Sequence, residues 1–117
     1  MITFNRWVWD FVTPPLVGAW APGFANPDFI VDIPMGKISD GGRSGVDRHS
    51  MVLASVCELA GAPGNPVDYP FIGNAYMQVF NIAPRDDGFV SLWVHVDWPY
   101  QLHVRLNLLI GNGWSAS

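Results

Sequence analysis

An all-β fold is what the 117-residue sequence predicts: an antiparallel β-sandwich or barrel-like domain with a C-terminal three-stranded meander. Three observations predict it. In residues 89–98, Val90, Leu92, Val94, Val96 and Trp98 fall on one face and Ser91, Trp93, His95 and Asp97 on the other. In residues 102–108, Leu102, Val104, Leu106 and Leu108 alternate in the same way with His103, Arg105 and Asn107. Side chains alternate with period two along a strand, so both segments read as half-buried sheet. Elsewhere, short β-type runs are separated by Pro, Gly and Asn turns. Only residues 46–60 are compatible with a helix, which would make the fold α+β.

Taken in order, residues 2–12 carry Trp7, Trp9 and Phe11 on one side and Phe4, Val8 and Val12 on the other. A strand apolar on both faces is central in its sheet or covered by a neighbouring subunit. Pro14-Pro15 ends it. Residues 16–20 read as a short strand, 21–27 as a Pro/Gly/Asn loop, and 29–33 as a strand stopped by Pro34. Residues 36–45, centred on Asp40-Gly41-Gly42, read as an exposed loop suited to function or to reaching a partner.

Residues 46–60 read as a strand, with Met51, Leu53, Ser55, Cys57 and Leu59 on one face and Val52, Ala54 and Val56 on the other. In the helical alternative, Asp47 is the cap. Residues 61–66 form a loop whose Pro, Gly and Asn echo residues 21–27, through shared turn chemistry rather than a repeat. Residues 75–110 supply the meander. A three-residue loop at Pro99-Tyr100-Gln101 sets Trp98 opposite Leu102, Val96 opposite Val104 and Val94 opposite Leu106. A five-residue loop over 84–88 sets Phe80 opposite Leu92 and Ile82 opposite Val90. Both registers match apolar faces.

Length indicates one domain over residues 1–117. Half the residues are apolar, and 14% are charged, against about 25% in an average soluble domain. A small monomer needs polar residues to cover its surface, so the deficit points to surface buried against other copies. One lysine against five arginines, with six Trp, four Met and a single glutamate, Glu58, is the composition of an interface. A homo-oligomer is therefore expected. The net charge of −4 and dispersed basic residues argue against nucleic acid. The single Cys57 permits no internal disulfide and no Cys-based zinc site. No signal peptide and no membrane-spanning run is evident, so a cytoplasmic or particle-assembled protein without membrane association is expected.

The register above puts Asp97 opposite His103 and His95 opposite Arg105, with Cβ atoms about 4.5–5.5 Å apart. His95, Asp97 and His103 are thus the candidate catalytic set for general acid–base chemistry, or two histidines and a carboxylate at a metal. The plain alternative is a solvated or interfacial polar face. No serine sits in a nucleophile turn. Gly36-Lys37 does not complete a phosphate loop, and Asp40 and Asp47 lack calcium-loop spacing, so neither metal nor cofactor is expected. Trp7, Trp9 and Trp93, with Arg105, are the candidate ligand-binding residues, because flat rings with polar neighbours stack on sugars or small apolar ligands. The leading expectation is a non-enzymatic, self-associating structural domain, a repeated subunit of a shell, sheath or particle. A carbohydrate or small-molecule binding module is the alternative, and a small β-barrel enzyme using His95, Asp97 and His103 the second.

Overall fold

Alternating apolar residues need a partner surface, and in the computed structural model of the chain they find it across two stacked antiparallel sheets. The structure describes residues 2–13, 28–39, 41, 44–62, 65–98 and 100–113. The expected strand at 16–20, the loop at 21–27 and the centre of the glycine loop lie outside the described residues, apart from Gly41. Among the described residues, seven strands run in chain order: β1 (Ile2–Val12), β2 (Asp28–Pro34), β3 (Met51–Ala62), β4 (Asn65–Phe71), β5 (Tyr76–Pro84), β6 (Phe89–Asp97) and β7 (His103–Gly113). One sheet has the order β1-β7-β3-β4 and the other β2-β6-β5. The all-β sandwich expected from the alternation is what forms, and residues 51–62 are strand rather than helix.

The core lies where β6 faces β7. Val90, Leu92, Val94 and Val96 from β6 pack with Leu106, Leu108 and Ile110 from β7, and Ile33 and Val46 complete the buried cluster. Around it pack Trp9 and Phe11 of β1, Val52, Ala54 and Val56 of β3, and Met77, Val79 and Ile82 of β5. An edge-to-face contact between Phe11 and Phe29, centroids 5.8 Å apart, joins the two sheets along one side. Burial of each Leu or Val contributes about 1.5–3 kcal/mol, so these two facing rows are the main source of stability.

This arrangement corrects the expected meander. β5 and β6 pair, but β7 crosses to the other sheet and pairs with β1 and β3. Trp98 and Leu102, Val96 and Val104, and Val94 and Leu106 are therefore not ladder neighbours. Matched apolar faces are satisfied equally well by lying side by side in one sheet or face to face across a core, and alternation alone does not distinguish the two. The β5–β6 hairpin is also tighter than the five-residue loop predicts. Gly88 N donates to Arg85 O at 3.1 Å and Arg85 N to Phe89 O at 2.9 Å, leaving Asp86-Asp87-Gly88 as a three-residue loop with Gly88 at φ +88°. Ile82 accordingly takes the place opposite Leu92 that was expected for Phe80, Pro84 faces Val90, and a bulge between Val79 and Asn81 leaves Phe80 out of the ladder.

Two further differences have local causes. Of the expected loop over 61–66, Gly61, Ala62, Asn65 and Pro66 belong to the ladder, with Gly61 opposite Pro66 and Ala62 opposite Asn65. The strand β4 that follows was masked by Pro66 and Pro70, residues compatible with a strand only at a sheet edge, where β4 lies. Asp47 caps a turn instead of a helix: its Oδ1 accepts from His49 N at 2.8 Å and its carbonyl from Ser50 N at 3.1 Å.

The glycine segment closes against the β5–β6 hairpin. Met35 N donates to Gly88 O and Val46 N to Gly36 O, each at 2.9 Å. A Cβ on Gly88 would lie 2.5 Å from the Gly36 carbonyl carbon, and one on Gly45 would lie 2.1 Å from Lys37 O. Both clashes are with backbone and cannot be relieved by a rotamer change. Asn112, buried beneath, donates to Gly45 O at 2.8 Å and is bonded to Ser50 Oγ, which fixes this crossing to β7.

Gly36 and Gly88 both have positive φ, but a Cβ on Gly36 meets nothing within 4 Å. Gly36→Ala is expected to cost only the conformational term, about 1–2 kcal/mol. Gly88→Ala should cost clearly more in denaturant unfolding, and equal losses would contradict the close backbone crossing.

Candidate functional site

Because β6 and β7 belong to different sheets, the polar residues behind their apolar rows point out of opposite sides of the sandwich. His95 and Asp97 lie on the outer face of the β2-β6-β5 sheet, while His103 and Arg105 share the outer parity of β7 in the other sheet. The expected pairs Asp97–His103 and His95–Arg105 do not form, and His95, Asp97 and His103 do not converge on one site. Among the described residues, no group of three or more His, Cys, Asp or Glu is placed to hold a metal ion.

On the β2-β6-β5 face, Asp28 is the organising group. It faces His95 in the β2–β6 register. Its Oδ2 accepts from Trp93 Nε1 at 3.1 Å, and its Oδ1 is hydrogen-bonded to His95 Nδ1. The bulge in β5 brings Phe80 onto this face, where its ring meets Trp93 at 5.5 Å and His95 at 5.7 Å between centroids, both edge-on. Farther along β6, Ser91 Oγ donates to Asp32 Oδ1 at 2.6 Å and accepts from Arg85 Nη1 at 3.2 Å. A shallow groove of about 200 Å³ runs between these two clusters, lined by Ile30, Asn81, Ala83, Ser91 and Trp93. Asp28, Phe80 and Asp32 carried no signal in the sequence, because their convergence depends on a non-local register and a bulge.

On the opposite face, the neighbours of Arg105 are Asp10 on β1 and Cys57 on β3. Arg105 Nε and Nη2 donate to the two Asp10 carboxylate oxygens at 2.7 and 3.0 Å, a bidentate pair. This pairing holds the Asp10 carboxyl below its ordinary value of 3.8. Its stabilisation is therefore present above that value and is lost as pH falls through the depressed one. One step along, Arg6 Nη2 donates to Asn107 Oδ1 at 3.4 Å. Beyond it the face turns apolar. Phe4 and Met51 close over Gly111 from either side, and Leu109 lies between Arg6 and Leu53. Phe4, Val8, Met51, Leu53 and Leu109 are all substantially exposed, Leu53 at 58%.

The other expected ligand residues are separated. Trp7 and Trp9 do share a face, but it is the inner one, and Trp9 packs against the core. Trp7, 40% exposed, lines an edge cleft with Asn5, Met35 and Gly45. Trp93 is on the far sheet and Arg105 is engaged with Asp10. His103 is buried, and its Nδ1 has no hydrogen-bond partner among the described residues.

At one end of the sandwich, Glu58 sits half-buried in a cleft of about 220 Å³ with Val56, Cys57, Phe71, Ile72 and Met77. Ile72 at its rim is 102% exposed. No known family, curated protein or solved structure matches this chain.

Burial raises the Glu58 carboxyl above its ordinary value of 4.5. The folded state therefore disfavours the ionised form, and the penalty is full above the raised value and absent below the ordinary one. Glu58→Gln should raise the thermal midpoint at pH 7 and leave it unchanged near pH 3.5. A lower midpoint at pH 7 would contradict this placement.

Proposed function

We propose that this protein is a non-enzymatic, self-associating structural domain, a repeated subunit of a homo-oligomeric assembly. The observation that carries the reading is the outer face of the β1-β7-β3-β4 sheet. There, Phe4, Leu109, Met51 and Leu53 expose apolar surface across three adjacent strands. Outward positions on a solvated antiparallel sheet are ordinarily polar, and contiguous exposed apolar surface of this kind marks a protein interface.

Sequence composition supports the same reading. The charged fraction of 14% leaves too few residues to solvate both outer faces and both ends of so small a sandwich. The exposed Ile72, Tyr76 and Tyr69 near one end add further apolar surface. The enzyme alternative loses its geometric basis, since His103 stands in a different sheet from His95 and Asp97.

Native mass spectrometry and light scattering across a micromolar concentration range test the proposal. Species at multiples of the 12.9 kDa chain are expected, growing in proportion as concentration rises. A monomer over the whole range would overturn the reading.

A further inference from the structure

The four strands at the sheet edges are not alike. β2 is seven residues long and ends at Pro34, β4 carries Pro66 and Pro70, and β5 has a bulge and ends at Pro84. Prolines, bulges and short length are the ordinary devices that keep an edge from pairing with another chain. β1 has none of them. It spans eleven residues without Pro or Lys, and it pairs with β7 without a register shift. Among the described residues, β7 is its one strand neighbour, which puts β1 at the end of its sheet.

The sequence of this strand is also complementary to its own reverse. Phe4, Arg6, Val8, Asp10 and Val12 occupy the outer face, and Asn5, Trp7, Trp9 and Phe11 the inner one. Antiparallel pairing of two copies centred on Val8 sets Arg6 opposite Asp10 of the second copy, and Asp10 opposite its Arg6. Val8 then faces Val8, Phe4 faces Val12, and on the inner side Trp7 faces Trp9 twice. Sliding the register by two residues either way puts each charge opposite Phe4, Val8 or Val12, and sliding it by one mixes inner with outer residues.

We propose that two copies of this chain pair through β1 about a twofold axis at Val8, joining their four-stranded sheets into one of eight strands. This rests on the self-association reading and gives it an interface. The pairing is isologous, as a closed twofold dimer requires. Each Asp10 carboxylate would then bridge its own Arg105 and the second copy's Arg6, extending an ion pair already in place. The second copy would also cover Trp7 and Val8, 40% and 39% exposed in the single chain.

Cysteine cross-linking in a Cys57→Ser background tests the register. Opposed residues in an antiparallel pair have Cα atoms about 4.5 or 5.5 Å apart, both within disulfide range. Val8→Cys should therefore oxidise to a covalent dimer. Leu53→Cys, more exposed and on the same face but two strands inward, should yield far less. Independently, Arg6→Asp places like charges opposite each other twice and should weaken association roughly tenfold or more. If the wild type assembles while Val8→Cys cross-links no better than Leu53→Cys and Arg6→Asp has no effect, the β1 interface is wrong and assembly uses another surface. If the wild type is a monomer, the self-association reading fails along with it.

Discussion

The facing rows of β6 and β7 are the constraint on which the remaining structure depends. Val90, Leu92, Val94 and Val96 bury their apolar side chains against Leu106, Leu108 and Ile110 and the residues around them. Once these rows stack across the core, the two strands cannot also be neighbours in a sheet. β6 therefore recruits β2 and β5, and β7 recruits β1 and β3. The same event sends His95 and Asp97 to one side of the molecule and His103 and Arg105 to the other. A single burial preference thus decides both the topology and the separation of His95 and Asp97 from His103.

Smaller devices adjust this frame. The β5 bulge keeps Met77 and Val79 against the core before it and Ile82 after it, and the cost of the extra residue is one aromatic ring placed on the outside. That ring, Phe80, then packs with Trp93 and His95 above Asp28. At the end of the sandwich where the glycine segment crosses, Gly45 and Gly88 let three backbone segments approach to distances that no side chain permits. Arg48 adds an exposed clamp there, donating from its backbone N and Nε to the two oxygens of Asp86 at 2.9 and 2.8 Å.

Much of the fold was legible from the residues, and what was not has a consistent physical reason. The faces of β6 and β7 could be read because alternation is local and both strands are strongly two-sided. Residues 46–60 were resolved toward strand by their Gly-rich flanks, and the structure agrees from Met51 onward. β4 was hidden by two prolines that only an edge position tolerates. The pairing of β7, the contacts of Asp28 with Trp93 and His95, and the Asp10–Arg105 bidentate pair all join residues far apart in the chain, such as Glu58 with Val104 and Asp10 with Arg105. Periodicity carries no information about such partners. The low charged fraction goes with exposed apolar side chains such as Phe4, Leu53 and Leu109.

The placement of β6 and β7 in opposite sheets is open to direct measurement by backbone nuclear Overhauser contacts on labelled protein. Leu106 should show cross-strand contacts to Trp9 and Val56, and Leu92 to Val31 and Ile82. Cross-strand backbone contact between Val94 and Leu106, or between Val96 and Val104, would restore the meander and contradict the sandwich described.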